Sequence, residues 1–221
     1  MSANFPKEMK TQLAEAGVIA VLVLDKAEDA APLADALLAG GVTAVELALR
    51  TPDSLAALKA MRKHAPDILL GAGTVLTPDQ LGQARDAGAD FAVAPGTNRR
   101  VLEASHGASF PFGPGVAVPS DIETALEYGC KTLKFFPAEP SGGLAFLKSM
   151  AGPYAHLGIQ YIPLGGLKGD NITPYVQSPL ILALGGSWIA PRETIIGGEW
   201  STITERARYA RNIIEQTPKS A

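Results

Sequence analysis

Val18-Ile19-Ala20-Val21-Leu22-Val23-Leu24 is an unbroken apolar run, and Asp25-Lys26-Ala27-Glu28-Asp29 follows it directly. A strand with one wet face alternates apolar and polar residues. A run that is apolar at every position marks a strand buried on both faces, as in a parallel sheet covered by helices. The residues after the run decide between the two kinds of parallel sheet. A doubly wound dinucleotide-binding sheet opens its first helix on Gly-x-Gly-x-x-Gly, and Asp25 to Asp29 contains no glycine.

The same unit recurs in both directions from this run. A polar helix over Pro6–Ala16 precedes it, and a helix over Ala27–Ala39 follows, stopped by Gly40-Gly41. Further strands are expected at Ala44–Arg50, Ile68–Val75, Asp90–Pro95, Ser109–Val116, Thr132–Pro137, Gln160–Leu164 and Leu180–Leu184. Helices are expected over Pro52–His64, Pro78–Ala87, Pro119–Tyr128 and Trp200–Gln216, with helix-length connections elsewhere. Strands alternating with crossovers predict an α/β fold, a single (β/α)8 TIM barrel with an extra N-terminal helix, spanning residues 1–221 as one domain. No linker rich in Gly, Ser and Pro interrupts the pattern, and its spacing of about 25 residues matches no solenoid consensus.

A net charge of −3 supplies no basic excess for neutralising phosphates, so nucleic acid is not an expected partner. Cys130 is the only cysteine, which rules out an intrachain disulfide and thiolate metal cages. Met1 to Lys10 carries no apolar core of signal-peptide length, and Leu180 to Ala190 is about half a membrane span. A cytoplasmic chain with no membrane role is the expectation.

In barrels the active site lies at the C-terminal ends of the strands, and here those ends carry reactive groups. Alternation puts Glu46, Ala48 and Arg50 on one face and Leu47 and Leu49 on the other, so Glu46 and Arg50 are expected to point inward. A carboxylate there is costly unless paired or used; a purely structural Glu–Arg pair is the bland alternative. Lys134 lies inside Thr132-Leu133-Lys134-Phe135-Phe136-Pro137-Ala138, sharing the inward face with Thr132 and Phe136. Lysine is seldom buried, and desolvation disfavours its ammonium form, leaving a free amine that can attack a ketone. A lysine snorkelling at a strand end is the alternative.

Gly71-Ala72-Gly73-Thr74-Val75 offers close backbone approach, with the Thr74 hydroxyl, on the face of Ala72, a candidate for a ligand carboxylate. Ala94-Pro95-Gly96-Thr97-Asn98 and Gly113-Pro114-Gly115 read as turns at the ends of strands four and five. Gly165-Gly166 and Gly185-Gly186-Ser187 stand where barrels bind phosphate, after strands seven and eight. His64, His106 and His156 fall away from the strand ends, so no metal site is expected. Trp188 and Trp200 read as packing residues.

The segments Glu46-x-x-x-Arg50-Thr51, Gly71-Ala72-Gly73-Thr74-Val75, Lys134-Phe135-Phe136-Pro137-Ala138-Glu139, Gly165-Gly166 and Gly185-Gly186-Ser187-Trp188 resemble, in order, the class I family of 2-dehydro-3-deoxy-6-phosphogluconate (KDPG) aldolase and 4-hydroxy-2-oxoglutarate aldolase. The resemblance covers roughly Val18 to Trp188. It implies a metal- and cofactor-independent lyase of the Entner–Doudoroff pathway, with Lys134 as Schiff-base lysine and Glu46 as proton-transfer residue. It implies that Arg50 and Thr74 hold the pyruvyl carboxylate, and that Pro95, Phe136 and Leu164 line the substrate. Gly165, Gly166, Gly185, Gly186 and Ser187 would line the phosphate end of a 2-oxo acid phosphate. A homotrimer is also implied. The chain departs from the family at Leu164, where the family carries a threonine that influences stereochemical preference; the galactonate-derived epimer, or a substrate without phosphate, therefore stays open. So do a non-covalent phosphosugar isomerase or epimerase using Glu46 as base, a metal-dependent aldolase, and a barrel that only binds a phosphorylated metabolite.

Overall fold

The computed structural model describes residues 3–218. Its chain runs α1 (Lys7–Ala16), β1 (Val18–Leu22), a 3-10 turn (Ala27–Asp29) leading into α2 (Ala30–Ala39), β2 (Ala44–Ala48), α3 (Ser54–His64), β3 (Leu69–Gly73), α4 (Pro78–Asp86), β4 (Phe91–Val93) and α5 (Arg99–Ala108). It continues through β5 (Phe112–Gly113), β6 (Gly115–Val116), α6 (Pro119–Glu127), β7 (Thr132–Phe135), α7 (Gly143–Ala151), a 3-10 segment (Gly152–Leu157), β8 (Gln160–Pro163), α8 (Thr173–Gln177), β9 (Leu184–Gly186), α9 (Arg192–Ile196) and α10 (Trp200–Gln216).

Local chemistry sets several boundaries. Gly17 takes the left-handed conformation that stops α1 (φ 66°), its N–H bonding the Leu13 carbonyl. Thr77 and Gln80 form a reciprocal capping box ahead of Pro78, starting α4. Asn98 caps α5 by accepting from Arg100 N–H at 3.0 Å. That helix had no expectation in the sequence, although Asn98 is its start signal.

All strand pairings are parallel among the described residues. One sheet runs β5-β4-β3-β2-β1-β9 and another β6-β7-β8. Only Pro114 separates β5 from β6, and its carbonyl accepts from Lys134 N–H at 2.9 Å. At the other margin, a bridge between Tyr161 and Ile181 leads from β8 toward the segment before β9. The expected fifth strand, Ser109–Val116, is thus two short pieces around a proline that has no N–H to donate. The expected eighth strand, Leu180–Leu184, is displaced: Ile181 makes only an isolated bridge, and the regular strand begins at Leu184, which pairs with Val18, and runs to Gly186.

The buried apolar residues divide by strand parity. Val18, Ala20 and Leu22 of β1, Val45 and Leu47 of β2, Leu70 and Ala72 of β3, and Leu133 and Phe135 of β7 belong to the large cluster shared with the helices. Ile19, Ala44, Phe91, Val93 and Ile162 form a second, inner cluster with Phe5, Leu13 and Ala16. The N-terminal segment and α1 therefore plug the inner face from the side where the strands begin. Ala3 also lends its carbonyl to Phe112 N–H at 2.9 Å.

Candidate active site

Glu46 has the parity of Ala44, and Lys134 that of Thr132, so both stand on the inner face above this apolar floor. They are 4% exposed each, and the Lys134 Nζ donates to Glu46 Oε1 at 2.7 Å. Charged side chains are rarely buried to this extent unless paired, and each satisfies the other here. The pair links chain positions 88 residues apart. Phe136 completes one wall, its ring centroid 5.7 Å from Nζ. Sequence argued for a free amine from burial alone; the structure adds a carboxylate able to take the amine's proton directly.

Neighbouring glycines make the space. A Cβ at Gly73 would lie 2.2 Å from Glu46 Oε1, and one at Gly71 would lie 2.3 Å from the Phe91 ring. The Gly71-Ala72-Gly73 pattern therefore makes room for side chains of the adjoining strands. Thr74 departs from expectation too. Ala72 faces the helices, but β3 ends at Gly73 and Thr74 takes φ 57°, so alternation no longer sets its direction. A β-branched residue in the left-handed region is strained, and such residues concentrate at functional sites.

Arg50 likewise lies beyond its strand. Its N–H bonds the Ala48 carbonyl in a tight turn at 2.8 Å, and the residue is exposed. Even so, Arg50 shares a cavity of about 390 Å³ with Ser187, Val21 and Val23. Thr51 is a fastener: its hydroxyl reaches the Leu24 carbonyl at 2.5 Å, tying the loop after β2 to the one after β1.

Pro95 borders Gly115, the pairing partner of Lys134; a Cβ at Gly115 would meet the Pro95 carbonyl oxygen at 2.2 Å. Gly165 and Gly166 form a left-handed loop (φ 104° and 80°) packed on Pro137 and Glu139. Glu139 N–H bonds the Gly165 carbonyl at 2.9 Å, and the buried Tyr175 hydroxyl donates to the Glu139 carboxylate; burial, and then this bond, push the phenol's pKa up. Gly185 and Gly186 are not loop residues, as sequence had them. They are buried in β9, and only Ser187 emerges. Gly185 pairs with Ile19 and leaves room for the buried Leu164, whose Cδ1 would lie 2.8 Å from a Cβ there.

Two residues of this end escaped the sequence reading. Asp25, after β1, receives Arg192 Nε at 2.8 Å and an Arg192 terminal nitrogen at 2.5 Å; Arg192, after β9, lines the cavity of Arg50 and Ser187. Asp25 directly follows the apolar run Val18 to Leu24, and the strand-end rule could have found it. Arg192 carries no comparable signal.

The KDPG and KHG aldolase model matches residues 9–206. The chain belongs to that family. It is 43% identical over 197 residues to the 2-dehydro-3-deoxy-phosphogluconate aldolase of Treponema pallidum, covering 89% of this chain and 93% of that one. Among solved structures, it is similar to the KDPG aldolase of Legionella pneumophila, in which pyruvate was captured at low pH as a covalent carbinolamine intermediate (41% identity, TM-score 0.85, 90% and 96% of the two chains). It is also similar to the Zymomonas mobilis ZM4 aldolase with 3-phosphoglycerate (35% identity, TM-score 0.84, 98% and 99%).

Proposed function

We propose that this chain is a Schiff-base aldolase that cleaves KDPG to pyruvate and glyceraldehyde 3-phosphate, with Lys134 as nucleophile and Glu46 as proton carrier. The observation that carries this reading is the buried Lys134–Glu46 contact of 2.7 Å. The carbinolamine in the Legionella pneumophila relative supports the covalent step, and 3-phosphoglycerate in the Zymomonas mobilis relative supports a phosphorylated substrate.

Glu46 takes a proton from Nζ, and the amine attacks carbon 2 of the substrate, giving a carbinolamine. Glu46 gives that proton to the carbinolamine hydroxyl, which leaves as water, and the iminium forms. Glu46 as carboxylate removes the proton of the hydroxyl on carbon 4; the bond between carbons 3 and 4 breaks and its electrons pass to the iminium nitrogen. The aldehyde leaves and an enamine stays on Lys134. Glu46 returns its proton to carbon 3, water adds to the new iminium, and pyruvate departs with the amine restored. Arg50 and Thr74 hold the carboxylate in this reading, a fork of guanidinium donors matching its two oxygens. Phe136, Pro95 and Leu164 wall the substrate, and Gly165, Gly166, Gly185, Gly186 and Ser187 serve its phosphate.

The same proposal closes the two sheets into one (β/α)8 barrel, supported by the Tyr161–Ile181 bridge and by the single residue between β5 and β6. It takes residues 1–221 as one domain, of which 1–2 and 219–221 lie outside the described residues. A cytoplasmic homotrimer completes it. The lone Cys130 supports the location: it is buried, and burial lifts its thiol to about 12, so it is inert as a thiolate. No described helix is long and apolar enough to cross a membrane.

The test is reductive trapping. Pyruvate with borohydride should leave a stable carboxyethyl adduct on the Lys134 peptide. An unlabelled Lys134 alongside normal cleavage activity would overturn the reading. Leu164 favours a second substrate, the galactonate-derived epimer, because a buried leucine there offers no hydrogen bond. Pyruvate release from both epimers in parallel assays separates the two; faster release from the galactonate-derived compound would make it the preferred substrate.

A further inference from the structure

The cavity shared by Arg50 and Ser187 also contains Arg192 and Glu193, over the side chains of Val21 and Val23. Arg192 is fixed there by Asp25, which engages Nε and one terminal nitrogen. A guanidinium has five N–H groups, and a two-point grip on a carboxylate uses two of them, leaving three donors. The other terminal nitrogen of Arg192 makes no hydrogen bond or ion pair among the described residues. Arg50 has no such partner either. Two cationic forks thus line one cavity with uncommitted donors, and Ser187 adds a hydroxyl. Glu193 is the one carboxylate in that lining and opposes an anion there.

Resting on the aldolase reading, the geometry points to Arg192 as a specificity-determining residue that selects substrates carrying a terminal phosphate. Arg50 serves the carboxylate next to the Schiff base, and Arg192 stands on the chain segment that continues from the phosphate-side residues Gly185, Gly186 and Ser187. A phosphate dianion accepts several N–H donors at once, which a planar fork satisfies better than a point charge. Asp25 is the positioning residue. It orients the fork without neutralising the donors that remain, and it also joins the loop after β1 to the loop after β9. The Arg192 guanidinium in turn holds the Asp25 carboxyl below the usual carboxylate range, so the brace is in place at neutral pH.

The experiment compares kcat/KM for KDPG with kcat/KM for its unphosphorylated counterpart, 2-dehydro-3-deoxygluconate. In Arg192→Gln the preference for the phosphorylated substrate should fall about tenfold or more, through KM of KDPG. Inhibition by inorganic phosphate should weaken in parallel. Asp25→Asn should reduce the preference by a smaller factor, and Arg192→Lys should recover only part of it. A preference in Arg192→Gln equal to that of the unaltered chain would overturn the assignment. So would an equal loss on both substrates, which would mark Arg192 as merely structural. Borohydride trapping on the unaltered chain reports on the underlying reading separately: failure of that trap sinks the aldolase, whereas a successful trap with unmoved preference sinks only Arg192.

Discussion

The two ends of the strands each carry a cavity and a pair of arginines, but they treat those arginines differently. Where the strands begin, a cavity of about 500 Å³ is lined by Arg62, Asp90 and Arg211 together with residues of α1. Arg62 is consumed there by the carbonyls of Gly88, Pro66 and Ile68 and by the Asp90 carboxylate. Arg211 commits both terminal nitrogens, one to the carbonyls of Glu15 and Ala16 and the other to Glu215. Where the strands finish, the cavity is smaller, yet Arg50 keeps its donors and Arg192 keeps some of them. Size is thus a poor guide to function in this molecule. Uncommitted hydrogen-bonding capacity beside a buried reactive pair is the better one.

Substitutions can break or sharpen that contrast. Glu46→Gln keeps an acceptor for Lys134 but abolishes proton transfer, so kcat should fall by about 10²–10⁴-fold; steady-state kinetics showing less than a tenfold change would remove Glu46 from the chemistry. Gly73→Ala comes next. Its methyl would occupy the site of Glu46 Oε1, and the carboxylate can swing away more easily than the sheet can move. A displacement of this size should lower kcat by about 10²-fold; an unaltered kcat would show that the methyl does not reach the carboxylate. At the opposite end, Arg62→Ala should cost about 2–3 kcal/mol of stability through its charge-assisted bonds, read by denaturant titration. Its kcat and KM should match the unaltered chain, and a large kinetic loss would erase the distinction between the ends. The mildest change is Gly82→Ala within α4, where an added Cβ meets nothing within 4 Å. It should stabilise the helix by about 0.5–1 kcal/mol, the reverse of Gly73→Ala in both sign and readout.

Sequence made the central pair legible because Glu46 and Lys134 are charges set in strands otherwise apolar, and alternation assigned both to the inner face. It failed where strands stop. Arg50 and Thr74 sit past the last paired residue, so parity carried beyond Ala48 and Gly73 had no physical basis. The last strand was shifted because Leu180 to Leu184 is apolar enough to read as a strand, whereas the glycines that do pair with β1 look like a loop. Glycine was acceptable there because Leu164 fills the space of the missing side chain. Arg192 was invisible for a different reason: its significance comes from Asp25, 167 positions away, and no local pattern encodes that meeting.

The plug formed by Phe5, Leu13 and Ala16 under the inner face has a kinetic consequence. On the proposed reading, the greasy floor beneath Lys134 and Glu46 turns substrate, products and the hydrolytic water toward the side where the strands finish. In the proposed cycle departure is then ordered: the phosphorylated aldehyde leaves before water releases the three-carbon fragment from the lysine.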